Sequence, residues 1–307
     1  MRRFRPDRLT CVSALSGLLL ACSFPLPDFT LLAWCGLIPL VLVMQRRPFK
    51  SGFIAGLVFF AATLYWLNIV MTTYGHLPMA VSFALYLLLA AYLALYWGAS
   101  TWAACRLREF RNYPLGMTLP VFWVAMEFLR EFLLTGFPWA TLGYSQQAWL
   151  PVIQSADLFG VYGLSYLLVL SNTAFAESFQ ALWRKLPQEV PLKTVMTAVV
   201  LLLLNYGYGV WCLRQDLDSR TETLQTALVQ GNIPQDLKWQ PENQLNTVQT
   251  YRDLSLRAER AGAKNLIVWP EAAMPFYFQD GGKLADSVSG LPVETGAFLL
   301  FGSLSLI

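Results

Sequence analysis

L-K-T-V-M-T-A-V-V-L-L-L-L-N-Y-G-Y-G-V-W-C-L-R-Q-D-L-D-S-R, residues 192–220, decides how this chain is read. Its first 21 residues hold a single charge, Lys193, at their start. That is about the length needed to cross 30 Å of hydrocarbon at 1.5 Å per residue. From Arg214 the composition turns polar within one helical turn, so a membrane-bound region gives way there to a water-exposed one.

Upstream, six more windows have the same character, at about 9–25, 28–45, 52–73, 78–104, 115–134 and 158–181. Over the whole chain 56% of residues are hydrophobic and 13% are charged, against about 25% charged in an ordinary soluble domain. The reading is a transmembrane domain of seven helices over 1–212, followed by an α/β region over 213–307.

Basic residues fix the orientation, because short cytoplasmic loops collect Lys and Arg. Arg2, Arg3, Arg5 and Arg8 precede the first window. Arg46, Arg47 and Lys50 follow the second, Arg106, Arg108 and Arg111 the fourth, and Arg184, Lys185 and Lys193 the sixth. The other short loops have neither residue type. The amino terminus is therefore expected in the cytoplasm and residues 213–307 outside it. The net charge of +3 reports topology, and no nucleic-acid partner is inferred from it. Arg2 to Leu20 also has the regions of a signal peptide, with Leu19-Leu20-Ala21-Cys22 like a lipoprotein cleavage box. Cleavage would leave six crossings and put the loop charges on the wrong side, so the window is read as a span.

Cys11, Cys22, Cys35, Cys105 and Cys212 all fall within or beside the apolar windows and read as packing residues. They form no disulfide framework, no metal site is expected, and His76 is assigned no role.

Beyond Arg214, residues 224–230 read as a strand ended by Gly231-Asn232-Ile233-Pro234. A helix follows, with Pro241 in its first turn, Gly262 as its stop, and Leu245, Val248, Tyr251, Leu254, Ala258 and Ala261 on one face. Residues 265–269 read as a strand buried on both faces and 297–304 as another. Strand, helix, strand, strand indicates an α/β layer fold. The sequence stops at F-L-L-F-G-S-L-S-L-I (298–307), inside what reads as a core strand, and is expected to be cut short.

Three motifs carry candidate chemistry. In W-P-E-A-A-M-P (269–275), Glu271 follows a buried strand and so lies at the carboxyl edge of the sheet, where open α/β folds place reacting groups; from the bare sequence, helix capping or a solvent-facing position is the favoured reading. V-Q-G-N-I-P-Q-D-L-K-W (229–239) is a turn with an aromatic residue. T-G-F-P-W-A-T-L-G-Y-S-Q (135–146) follows E-F-L-R (127–130); its aromatic residues suit a membrane interface. Glu127, Arg130 and Glu131 share a helical face near that loop, and either bind a head group or pair with each other.

Taken together and in this order, these motifs resemble those of the bacterial apolipoprotein N-acyltransferases. The resemblance implies a multi-span helical membrane domain followed by the N-terminal part of a nitrilase-like αββα domain. It implies transfer of an acyl chain from a phospholipid to the N-terminal amino group of a diacylglyceryl-cysteine on an apolipoprotein. No cofactor is implied. The family works with a Glu, Lys and Cys triad, and its Glu matches Glu271, the expected general base. Burial beside rings such as Trp269 is expected to tune that base. Trp239 and Trp139 match aromatic residues that contact substrate. The family's Lys and Cys belong to segments beyond residue 307, and Lys283 matches neither, so residues 1–307 alone are expected to be inactive. The alternatives are a membrane-anchored amidase or nitrilase and a non-catalytic lipid-binding remnant.

Overall fold

The computed structural model describes residues 7–25, 27–215, 223–262 and 265–304. Arg2, Arg3, Arg5, the end of the terminal strand at 305–307 and most of the polar stretch after Arg214 lie outside the described residues. The chain divides into two compact units, Met1–Gln215 and Asp216–Ile307.

The first unit is helical throughout: α1 (Arg8–Ala21), α2 (Ile38–Met44), α3 (Pro48–Thr63), α4 (Trp66–Thr73), α5 (Met79–Arg111), α6 (Leu115–Arg130), α7 (Leu150–Ile153), α8 (Ala156–Trp183) and α9 (Leu192–Leu213). Local chemistry sets the boundaries. The Asp7 carboxylate accepts from the Leu9 amide at 2.7 Å and caps α1. α5 ends where Asn112 turns left-handed (φ 55°), and Pro114 then starts α6.

Helices occupy all seven apolar windows, yet among the described residues only α5, α8 and α9 suffice alone, by length and composition, to cross a membrane. A fourth span results if α3 and α4, bent by 51°, count as one. The expectation of seven full-length spans is thus met for three or four; α1 and α6 are shorter, and the second window breaks around Cys35 before α2 starts. The unit also presents apolar side chains outward, among them Leu88, Val199, Leu203 and Leu204. An apolar surface of that extent belongs in hydrocarbon.

Inside, an aromatic column runs across the helices. Phe24 meets Phe59 at 5.3 Å, Phe59 stacks on Trp97 at 4.8 Å, and Trp97 meets Trp123 at 4.5 Å. Because lipid tails are as apolar as leucine, helix association here depends on close packing. Gly52 supplies it, since a Cβ there would stand 2.4 Å from the Trp97 carbonyl oxygen and 2.2 Å from Thr101 Oγ1.

The second unit holds β1 (Thr226–Leu228), α10 (Gln235–Lys238), α11 (Gln244–Arg260), β2 (Leu266–Val268), β3 (Met274–Tyr277), α12 (Lys283–Ser289), α13 (Leu291–Thr295), β4 (Phe298–Leu300) and β5 (Ser303–Leu304). β2 is central in a parallel sheet ordered β1-β2-β4, with Ala227, Ile267 and Leu299 in register. A separate parallel pair joins β3 to β5.

Several expectations change here. The strand at 224–230 is confined to 226–228, and the run at 297–304 splits at Phe301-Gly302 into strands of different sheets. The buried positions of α11 are Thr247, Val248, Tyr251 and Ser255, whereas Leu245 is 53% exposed. The expectation that β2 is buried on both faces does not hold, because only Ile267 of its three residues is fully buried. Alternation explains this. Ile267 shares a core with Val248 and Tyr251, while Leu228, Phe298 and Leu300 lie on the opposite face and are exposed.

Candidate functional site

In the second unit two motif segments meet. The V-Q-G segment continues β1, with the Val229 amide donating to the Val268 carbonyl at 2.8 Å. Gly231 then passes over the ring of Tyr251, where a Cβ would stand 2.7 Å from the ring carbon bearing the hydroxyl. Only glycine lets the chain lie that close. Tyr251 in turn packs on Trp269 at 5.1 Å between centroids, and Trp269 Nε1 donates to Ser255 Oγ at 2.8 Å. Burial pushes the Tyr251 hydroxyl pKa up, partly offset by a hydrogen bond from the Gly231 backbone.

Glu271 follows β2 at the carboxyl end of the central strand. Its turn is fixed from two sides. The Met274 amide donates to the Gly302 carbonyl at 3.3 Å, and a Cβ on Gly302 would stand 2.8 Å from the Ala272 nitrogen. Lys238 reaches across from the other motif, its Nζ donating to the Glu271 carbonyl oxygen at 3.5 Å and lying 5.6 Å from the centre of the Trp239 ring. Asn232 and Ala272, one in each motif turn, are left-handed at φ 50° and 49°. Such backbone costs about 1–3 kcal/mol for most residue types and persists where the surroundings enforce it.

Side-chain burial differs from expectation. Trp269 is buried, but the Glu271 side chain is exposed and the apolar rings do not enclose it. The strand's alternation ends at Trp269, which is buried with Ile267; Pro270 and Glu271 lie in the turn beyond β2 and are both exposed. Trp239 is 44% exposed. Lys283 opens α12 after Gly281 and Gly282 and makes no hydrogen bond to Glu271.

The first unit holds the third motif. Its loop is held by polar groups buried in the bundle. Glu127, 4% exposed, accepts from the Leu142 amide at 2.9 Å and from Trp123 Nε1 at 3.2 Å through Oε1. Arg130, 2% exposed, donates to Thr141 Oγ1 at 3.0 Å, and its guanidinium lies 5.3 Å from the centre of the Phe60 ring. The Phe137 amide donates to the Arg130 carbonyl at 2.9 Å, the Gly143 amide to Ser165 Oγ at 2.9 Å, and Trp34 Nε1 to Gln146 Oε1 at 2.9 Å.

Leu134, Thr135 and Ala140 are left-handed at φ 51°, 73° and 60° within this loop. Trp139 is exposed and lies 5.0 Å from Phe137 between ring centroids. Glu127 and Arg130 interact electrostatically without an ion-pair contact within 4 Å. Both side chains grip the loop instead. Glu131 is partly buried at the end of α6.

Sequence reasoning missed Lys238, Gly302, Ser165 and Gln146. Lys238 adjoins Trp239 in the quoted motif, so its position was visible and its contact was not. Gln146 likewise ends the 135–146 motif and Gly302 lies in the quoted 298–307 run, while Ser165 lies in no quoted segment; the partners of all three are distant in sequence.

Residues 16–174 match the family described as apolipoprotein N-acyltransferase N-terminal domain. Among curated relatives, the apolipoprotein N-acyltransferase of Geobacter metallireducens is 42% identical over 302 residues, covering 97% of this chain and 57% of the relative. That of Chromobacterium violaceum is 34% identical over 279 residues, covering 89% and 51%. That of Nitrosomonas europaea is 32% identical over 275 residues, covering 87% and 51%. The chain therefore spans a little over half the length of these relatives.

Proposed function

Because this chain belongs to the apolipoprotein N-acyltransferase family, we propose that it serves the transfer of an acyl chain from a phospholipid to the N-terminal amino group of a diacylglyceryl-cysteine on apolipoproteins. Glu271 is the general base. It takes the proton of a thiol as the thiolate attacks the phospholipid ester, and passes it to the departing lysophospholipid oxygen. In the second half it takes a proton from the attacking amine and returns one to the leaving thiolate. All five cysteines precede residue 213, and in this reading residues 1–307 supply the base, the aromatic contacts and the membrane half.

Trp239 contacts the acyl group near the base and Trp139 the lipid as it arrives. The membrane domain crosses seven times in the bacterial inner membrane, with the amino terminus cytoplasmic and residues 213–307 outside. Helices of 14 and 16 residues, such as α1 and α6, cover about 21–24 Å; local thinning and flanking residues complete those crossings. Residues 213–307 form the first part of a nitrilase-like αββα domain.

The observation that carries this reading is the carboxylate of the W-P-E motif at the carboxyl end of a central parallel strand, tied through Lys238 to the segment bearing Trp239. The test is a chimera in which this chain replaces the corresponding part of the Geobacter metallireducens relative, assayed in phospholipid vesicles with a diacylglyceryl-cysteine lipopeptide. Acyl transfer to the peptide amine supports the reading. Amide hydrolysis without transfer would replace it with a membrane-anchored amidase.

A further inference from the structure

We propose that the end of the first unit where α1 begins and α2 and α8 finish binds the phosphate head group of an anionic phospholipid. α2 packs against both α1 and α8, and between their ends lies a cavity of about 760 Å³. Arg8, Arg46, Arg47 and Arg184 line it, together with Phe179 and Trp183 of α8 and the apolar Val12, Leu42 and Val43 of α1 and α2. A head-group and acyl-root site needs that combination, because the phosphate seeks guanidinium donors and the glycerol and first methylenes seek apolar surface.

Orientation alone does not account for the arrangement. Basic residues anywhere in a short loop satisfy the topology rule, with no need to converge on one concavity. Elsewhere in the first unit Arg108 pairs with Glu177 at 2.9 Å and Arg106 with Glu109 at 3.5 Å. No ion pair within 4 Å engages the four arginines of the cavity among the described residues. The one lining carboxylate, Asp7, is committed to capping α1 and to Lys50 at 3.7 Å. The volume also lies within the range of about 300–1,000 Å³ typical of small-molecule sites. This site is independent of Glu271 and of the transfer chemistry.

The test is native mass spectrometry of the full chain in a neutral detergent, titrated with short-chain phosphatidylglycerol, phosphatidylcholine or inorganic phosphate. Phosphatidylglycerol should bind at least about tenfold more tightly than phosphatidylcholine. Joint Arg46→Gln and Arg184→Gln substitution should weaken it roughly 25-fold, about fivefold per guanidinium. Val43→Trp, which enlarges an apolar lining side chain and keeps every charge, should weaken it comparably and carries the test alone if the double variant fails to insert. Equal binding of the two lipids, or unchanged phosphatidylglycerol binding in Val43→Trp, would overturn the proposal. So would displacement of the lipid by an equal concentration of inorganic phosphate, which would indicate a free-anion site.

Discussion

Glu127 holds two donors that have no alternative, the Leu142 amide and the Trp123 indole. Stranding a buried donor costs about 1–3 kcal/mol. Glu127→Ala should therefore lower stability by roughly 2–4 kcal/mol, while Glu127→Gln, which keeps a carbonyl oxygen in place, should cost clearly less; thermal unfolding of the two variants in detergent distinguishes them. In the second unit Tyr251 provides a pH-dependent counterpart. Its folded pKa is raised above the ordinary 10.0, so its contribution to stability is whole below pH 10 and is lost as pH rises through the folded value. Tyr251→Phe should remove that loss, giving a shallower fall in unfolding temperature than wild type between about pH 9 and 11. The sequence made Glu127 and Arg130 conspicuous because charge at membrane depth is costly. What they hold could not be read, because Thr141 and Leu142 return to them only through a loop with left-handed Leu134, Thr135 and Ala140, for which those residue types give no warning.

Contacts between elements follow the same logic through small residues. Gly52 of α3 faces the backbone of α5 with no room for a methyl group, whereas Gly207 in α9 has nothing within 4 Å of a built Cβ. Gly52→Ala should then destabilise by about 1–3 kcal/mol through overpacking, and Gly207→Ala should be neutral or stabilising by up to roughly 1 kcal/mol from helix propensity. Equal effects in thermal unfolding would remove the packing account of α3 against α5. The long apolar helices α5, α8 and α9 and the amphipathic α11 were legible, since their signals extend over many turns. The strands were legible in kind but not in extent. β4 and β5 form one apolar run in sequence, and it is the close passage of Gly302 against Glu271 and Ala272 that diverts the chain from one sheet to the other.

Over the whole molecule, membership of the acyltransferase family rests on similarity that extends through both units, and the loop charges predict the orientation of the membrane unit. With native cysteines replaced, single cysteines at Arg46 or Arg184 should resist a membrane-impermeant maleimide in intact cells, whereas one at Gly75 or Gln240 should react. The opposite pattern would invert the topology. The family was legible because its three motifs survive as short contiguous strings. The exposure of Glu271 agrees with the solvent-facing reading of the bare sequence and not with the burial expected from the resemblance, because the chain turns outward after β2. The most direct measurement of the central claim is thioester formation in the Geobacter chimera incubated with radiolabelled phospholipid. With Glu271 as the base, the wild-type chimera accumulates acyl-enzyme, and Glu271→Gln, inserted equally in the membrane, reduces its formation by about 10²-fold or more. Acyl-enzyme formation at the same rate in both would contradict the account.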